Sequence, residues 1–134
     1  MTDDDIRHVL TTYQTWAVVG CSPSPFRDSH RIAALLQAHG YKVIPVNPEV
    51  SGEIHGEPVL PRLQSGLGIE VVDLFRRSSA VSAHVDEAIA IGAKAVWMQL
   101  GVIDHAAAER ARAAGLHVVM NRCPAIELPR LSAA

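Results

Sequence analysis

The residues best suited to chemistry form one stretch, Gly20-Cys21-Ser22-Pro23-Ser24-Pro25-Phe26-Arg27, set between the apolar run Trp16 to Val19 and a helical pattern. An apolar run ending in glycine reads as a buried parallel strand. A small-residue loop feeding a helix leaves backbone N–H groups free for an anion such as a phosphate. After Gly20 the turn is made with Ser and Pro, not with the further glycines of G-x-G-x-x-G, so the loop is anion-binding in character but unlike an NAD fingerprint. Arg27, Arg76, Arg77 and Arg122 fall on or beside predicted strand ends, and guanidinium forks suit phosphate oxygens. Other chemistries find less support. The seven histidines show neither H-x-H nor H-E-x-x-H spacing, and Asp28-Ser29-His30 are adjacent only in sequence, which makes no triad and no metal site.

The elements that must position this loop follow from periodicity. Thr2 and Asp5 pattern as a helix cap, and Ile6, Val9, Leu10 and Tyr13 recur at helical spacing, predicting a first helix over 3–13. Predicted strands cover 15–19, 41–46, 69–75, 95–100 and 116–120. Ser29 is the expected N-cap of a helix ended by Gly40, Ser78 or Ser79 of one reaching Ile91, and Asp104 of an alanine-rich one reaching Ala114. Residues 49–68, punctuated by Gly and Pro, read as irregular with a short helical turn near 61–64. The tail 124–134 reads as loop with one short turn.

Strands alternating with helices call for a single α/β domain over 1–134, with its core in 15–121. The expected form is a doubly wound, Rossmann-like, five-stranded parallel sheet of order 3-2-1-4-5 with helices on both faces. At 134 residues and 49% hydrophobic the chain fits one such domain. A net charge of −2 argues against general nucleic-acid binding. Two cysteines, Cys21 and Cys123, make no disulfide framework and fit a reducing cytosol. The acidic start Met1-Thr-Asp-Asp-Asp5 and the lack of a long apolar run lead to the expectation of a soluble, cytoplasmic protein.

In such sheets the ligand crevice lies outside the carboxyl ends of the strands. That rule selects Gly20 to Arg27, Asn47-Pro48, Phe75-Arg76-Arg77, Gln99-Leu100-Gly101 and Asn121 to Pro124. A ribose-binding acid is missing at the end of the second strand, where Asn47-Pro48 stands, so a ligand with several phosphates fits better than NAD. Of the adjacent pair, Arg76 is expected to face the crevice and Arg77 solvent. Trp97 is expected in the core, and Gln99 at a strand end needs a partner.

Val18-Val-Gly-Cys-Ser-Pro-Ser-Pro-Phe-Arg-Asp-Ser29, Tyr41 to Pro48, Val72-Asp-Leu-Phe-Arg-Arg77, Ala90 to Gly101 and Asn121-Arg-Cys-Pro124 together resemble the small stand-alone coenzyme A-binding proteins, in order and spacing from about 15 to 131. More distantly they are similar to the coenzyme A-binding domain of the succinyl-CoA synthetase alpha subunit. The resemblance implies non-catalytic binding of coenzyme A or an acyl-CoA, with Gly20, Cys21, Ser22, Pro23 and Arg27 toward the pyrophosphate. Asn47 and Pro48 would border the adenosine part, and Phe75, Arg76, Gln99 and Gly101 the remaining wall. The synthetase relatives carry basic residues where this chain has Asn47-Pro48, and they use a phosphohistidine from a further domain, which argues against ligase activity here. A cysteine beside a bound pantetheine thiol could form a mixed disulfide. The competing expectations are a small NAD(P)-dependent enzyme and an interaction protein with an empty crevice. The binding module is open to acting with a partner enzyme, and the interaction protein to assembling as a homodimer.

Overall fold

A computed structural model describes residues 1–132. In chain order the strands are β1 (Thr15–Val19), β2 (Lys42–Val46), the short antiparallel pair β3 (Glu53–Ile54) and β4 (Glu57–Pro58), β5 (Val71–Leu74), β6 (Ala95–Met98) and β7 (His117–Val119). The helices are α1 (Asp3–Thr12), α2 (Asp28–Ala38), α3 (Val81–Ala90), α4 (His105–Ala113) and α5 (Pro124–Ser132). Strands β2, β1, β5, β6 and β7 form one parallel sheet in that order.

Strand alternation divides the core into two layers. Trp16, Val18, Val71 and Trp97 pack against α1, α2 and α5, while Val19, Val72, Leu74 and Met98 pack against α3 and α4. Both indoles are fully buried, their ring centres 5.4 Å apart, so Trp97 is a core residue as expected. The expected cap of α1 is a complete capping box, with the Asp5 N–H donating to Thr2 Oγ1 at 3.2 Å and the Thr2 N–H to Asp5 Oδ2 at 2.8 Å. Asp104 caps α4 through the Ala107 N–H at 3.0 Å.

The α/β class, the five parallel strands and the helices on both faces are as the sequence predicts. In strand order the structure differs. The third predicted strand, β5, lies beside β1 on the inner side, so the five run 2-1-3-4-5 and not 3-2-1-4-5. The place outside β2 is held by a single parallel rung at Leu60, whose N–H donates to Pro45 O at 2.9 Å and whose carbonyl accepts the Asn47 N–H at 2.9 Å. One rung leaves no apolar run to read, and counting it as a strand would restore the outer position.

Three local expectations are also corrected. Residues 61–64 are not helical, and the order in that region comes from the β3–β4 hairpin. Arg27, not Ser29, occupies the N-cap of α2, and Ser78–Ala80 forms a 3-10 turn before α3. The tail is helix α5, begun by a proline whose missing N–H costs nothing in a first turn. Leu128 and Leu131 are buried against α1, and Arg130 bonds Asp3 at 2.8 and 3.0 Å, tying the two helices together. No helix among the described residues is long and apolar enough to cross a membrane.

Candidate functional site

The carboxyl ends of β1, β2, β5 and β6 open onto a cleft of about 1030 Å³ on the α2 and α5 side of the sheet. Gly20, Ser22, Arg27, Asn47, Phe75, Arg76 and Gln99 all border it. Of the eleven residues that the family resemblance assigns to the ligand, seven thus border one cleft. The other four lie elsewhere. Pro48 lines a separate apolar recess of about 200 Å³ on the α3 side, which shares Gly20 and Arg76 with the large cleft. Cys21 is fully buried beneath the loop, because its side chain points into the α2 layer. Pro23 is exposed outside the cleft. Gly101 makes a turn whose N–H donates to Asn121 Oδ1 at 2.7 Å, bracing the loop after β6 while Leu100 takes the wall. Arg77 and Arg122 likewise stand off the cleft, and of the adjacent arginines it is Arg76 that faces it.

Gly20 fixes the loop. Its φ is +83°, and a Cβ there would stand 2.5 Å from the Phe75 carbonyl oxygen, so both the backbone conformation and the close approach of β5 demand glycine. Its N–H donates to Val46 O at 2.8 Å, joining the ends of β1 and β2. The Ser22 N–H donates to Ser29 Oγ at 2.9 Å and the Ser24 N–H to Ser22 Oγ at 3.1 Å, so the loop is held by its own hydroxyls. Asn47 uses both ends of its amide locally: Nδ2 donates to Cys21 O at 2.9 Å, and Oδ1 accepts the Glu49 N–H at 3.0 Å. Its contribution is to clasp the loop to β2.

Where α2 starts, no side chain caps it, which leaves first-turn N–H groups open beside the cleft. Asp28 borders the same space, but its carboxylate is paired with Arg31. Arg27 and Arg76 have no ion-pair partner among the described residues. Phe26 is 88% exposed on the rim, a large apolar ring left in water. On the wall Gln99 is only 6% exposed and its Oε1 has no hydrogen-bond partner. An orphaned acceptor at the edge of a cleft is what a ligand donor would satisfy.

Beneath the cleft lies a second unmet polar group. Asp73, on β5 between Val18 and Trp97, is fully buried with both carboxylate oxygens unpartnered, and burial pushes its carboxyl well above the ordinary range. The Cys21 thiol is pushed up to about 11, by burial first and by Asp73 second, so it stays protonated. Sequence reasoning missed the helical walls: Arg31, Ile32 and Leu35 from α2, and Ala125 from α5. The exposed aromatic of Phe26 in a polar loop was a signal available in the sequence.

Residues 14–129 match the sequence model of a family described as the CoA binding domain. The chain belongs to that family. An uncharacterized protein of Bacillus subtilis, YneT, is 30% identical over 119 residues, covering 89% of this chain and 88% of the relative. A hypothetical protein of Pyrococcus horikoshii has a solved structure that superposes with a TM-score of 0.92 at 43% identity, over 98% of this chain and 93% of that one. The dinucleotide-forming acetyl-coenzyme A synthetase 1 of Ca. Korarchaeum cryptofilum shares the fold, with a TM-score of 0.73 at 22% identity, over 87% of this chain and 28% of the enzyme.

Proposed function

We propose that this protein binds coenzyme A or an acyl-CoA, without transforming it, in the large cleft at the carboxyl end of the sheet. The observation that carries the reading is the convergence of Arg27, Arg76 and the uncapped start of α2 on one space. With the family membership, it supports a ligand bearing several phosphates. A volume of about 1030 Å³ suits a cofactor-sized ligand. The pyrophosphate would meet the first turn of α2 and Arg27, the gap between the two recesses would place Arg76 on a further phosphate, and Phe75 and Gln99 would flank the arm.

The charged side chains of the cleft favour holding over reacting. Arg27 and Arg76 offer positive charge, and the Asp28 carboxylate is engaged by Arg31 and so is not free to act as the base that acyl transfer would need.

Titration calorimetry under reducing conditions tests this. Coenzyme A is expected to bind more tightly than dephospho-coenzyme A. Arg76→Ala should weaken it by about tenfold or more, the effect of losing a charged hydrogen bond, while the melting temperature of the free protein stays unchanged. Absence of heat with every coenzyme A species would overturn the reading.

A further inference from the structure

We propose that Cys123 is a covalent capture site for a pantetheine-type thiol, formed by exchange with the disulfide of that thiol. This rests on the coenzyme A reading above.

The two cysteines are free, and they sit in opposite circumstances. Cys21 is sealed under the loop with its thiol held protonated and away from the cleft wall. Cys123 is half-buried on that wall. Its position is fixed from both sides. The Arg122 N–H donates to Met98 O at 3.2 Å, Trp97 Nε1 donates to Arg122 O at 2.9 Å, and the Cys123 carbonyl accepts the N–H groups of Ile126 and Glu127 at 2.9 and 3.0 Å. The segment is therefore clamped along the end of β6 and then committed to α5.

A second, independent feature at this place points to a ligand. Gln99, just past the end of β6, and Cys123, on the neighbouring segment that the Arg122 N–H ties to Met98 O, both border the cleft. Gln99 is 94% buried by the complement of its 6% exposure, lines the cleft, and has no partner for Oε1. A pantetheine arm carries amide N–H groups, the donors such an acceptor lacks, on a chain that ends in a thiol. One ligand can then give its phosphates to α2, an amide N–H to Gln99 and its sulfur to Cys123.

The step balances with the ligand disulfide as co-reactant. Cys123 Sγ, as thiolate, attacks one sulfur of the symmetric disulfide; a new S–S bond forms as the old one breaks. One ligand thiolate leaves and takes up the proton that the Cys123 thiol lost. Excess free thiol reverses the exchange, so occupancy reports the oxidation state of the ligand pool.

The test is intact-mass spectrometry of the full chain mixed with coenzyme A disulfide or, separately, with oxidised glutathione, followed by peptide mapping without reductant. We expect one coenzyme A per chain on the Cys123 peptide, at least tenfold faster than the glutathione adduct, removed by dithiothreitol and lost in Cys123→Ser. An adduct on Cys21 or equal rates with glutathione would overturn the proposal. Calorimetric binding of reduced coenzyme A without any adduct would overturn it while leaving the binding function standing. A protein that neither binds nor reacts removes both.

Discussion

The two ends of the parallel sheet have the same backbone chemistry and opposite states of satisfaction. At the amino end Glu70 Oε1 accepts the N–H groups of Gln14 and Thr15 at 2.9 and 3.1 Å, and the Glu70 N–H returns to Thr15 O at 2.9 Å. The Glu70 carbonyl takes the N–H groups of Lys94 and Ala95 at 2.7 and 3.0 Å, and Lys94 O takes that of His117 at 3.0 Å. That edge is stitched from β1 to β7. At the carboxyl end the start of α2 has no side-chain cap, Arg27 and Arg76 have no ion-pair partner among the described residues, and Gln99 Oε1 has no hydrogen bond. Unmet polar demand thus collects at one end, where a ligand can meet it, and is removed from the other.

The sharpest way to break this contrast is Gly20→Ala. The new methyl must occupy a left-handed backbone position and overlap the Phe75 carbonyl, so the ends of β1 and β5 have to part. We expect a loss of about 3 kcal/mol, from the strained conformation and the clash together, seen as a lowered midpoint in urea. Coenzyme A binding should fall with it. Unchanged stability would mean that the loop is not held by that close approach.

Between the two ends sits Asp73, an unmet demand that no ligand reaches because it does not border the cleft. Burial raises its folded pKa above the ordinary 3.8, so the folded state keeps a proton that the unfolded chain gives up. The sign follows. At low pH both states hold the proton and the site costs least; as pH rises above about 4, stability falls by about 1.4 kcal/mol per unit until the folded carboxyl also ionises. Asp73→Asn removes the ionisation. Its melting temperature should match that of the parent near pH 4 and exceed it by a growing margin as pH rises, until the folded carboxyl of the parent ionises. Parallel pH profiles for the two proteins would refute the account.

How far this contrast was legible in the sequence depends on the kind of information each part needed. Strands buried on both faces write continuous apolar runs, and caps such as Thr2 with Asp5, or Asp104, write local polar signals, so the rhythm of elements was readable. Strand order was not, because it turns on one rung at Leu60. Helix α5 was hidden because the tail 124–134 read as loop with one short turn, although a first turn is where a proline such as Pro124 suits a helix. The strand-end rule brought Gly20, Asn47, Phe75 and Gln99 to one cleft. It could not choose between Ser22 and its neighbours Cys21 and Pro23, since which side chain of a turn faces inward is set by the fold of the turn itself. Nor could it supply the walls from α2 and α5, because those depend on how helices lie across the sheet.

The smallest expected effect tests the closed end. Glu70→Ala removes the acceptor of two N–H groups, those of Gln14 and Thr15, but both donors lie where water can replace the carboxylate: Gln14 is exposed, and Thr15 and Glu70 are only half-buried. A loss of about 1 kcal/mol is therefore expected, in line with a pair of part-solvated hydrogen bonds, read as a modest drop in melting temperature. Coenzyme A affinity should stay within twofold, because the bonds that fix Gly20, the start of α2 and Gln99 all lie at the far end of the strands. Should Glu70→Ala weaken binding as much as Arg76→Ala does, the two ends would be coupled through the sheet, and the separation of a stitched edge from a receptive one would fail.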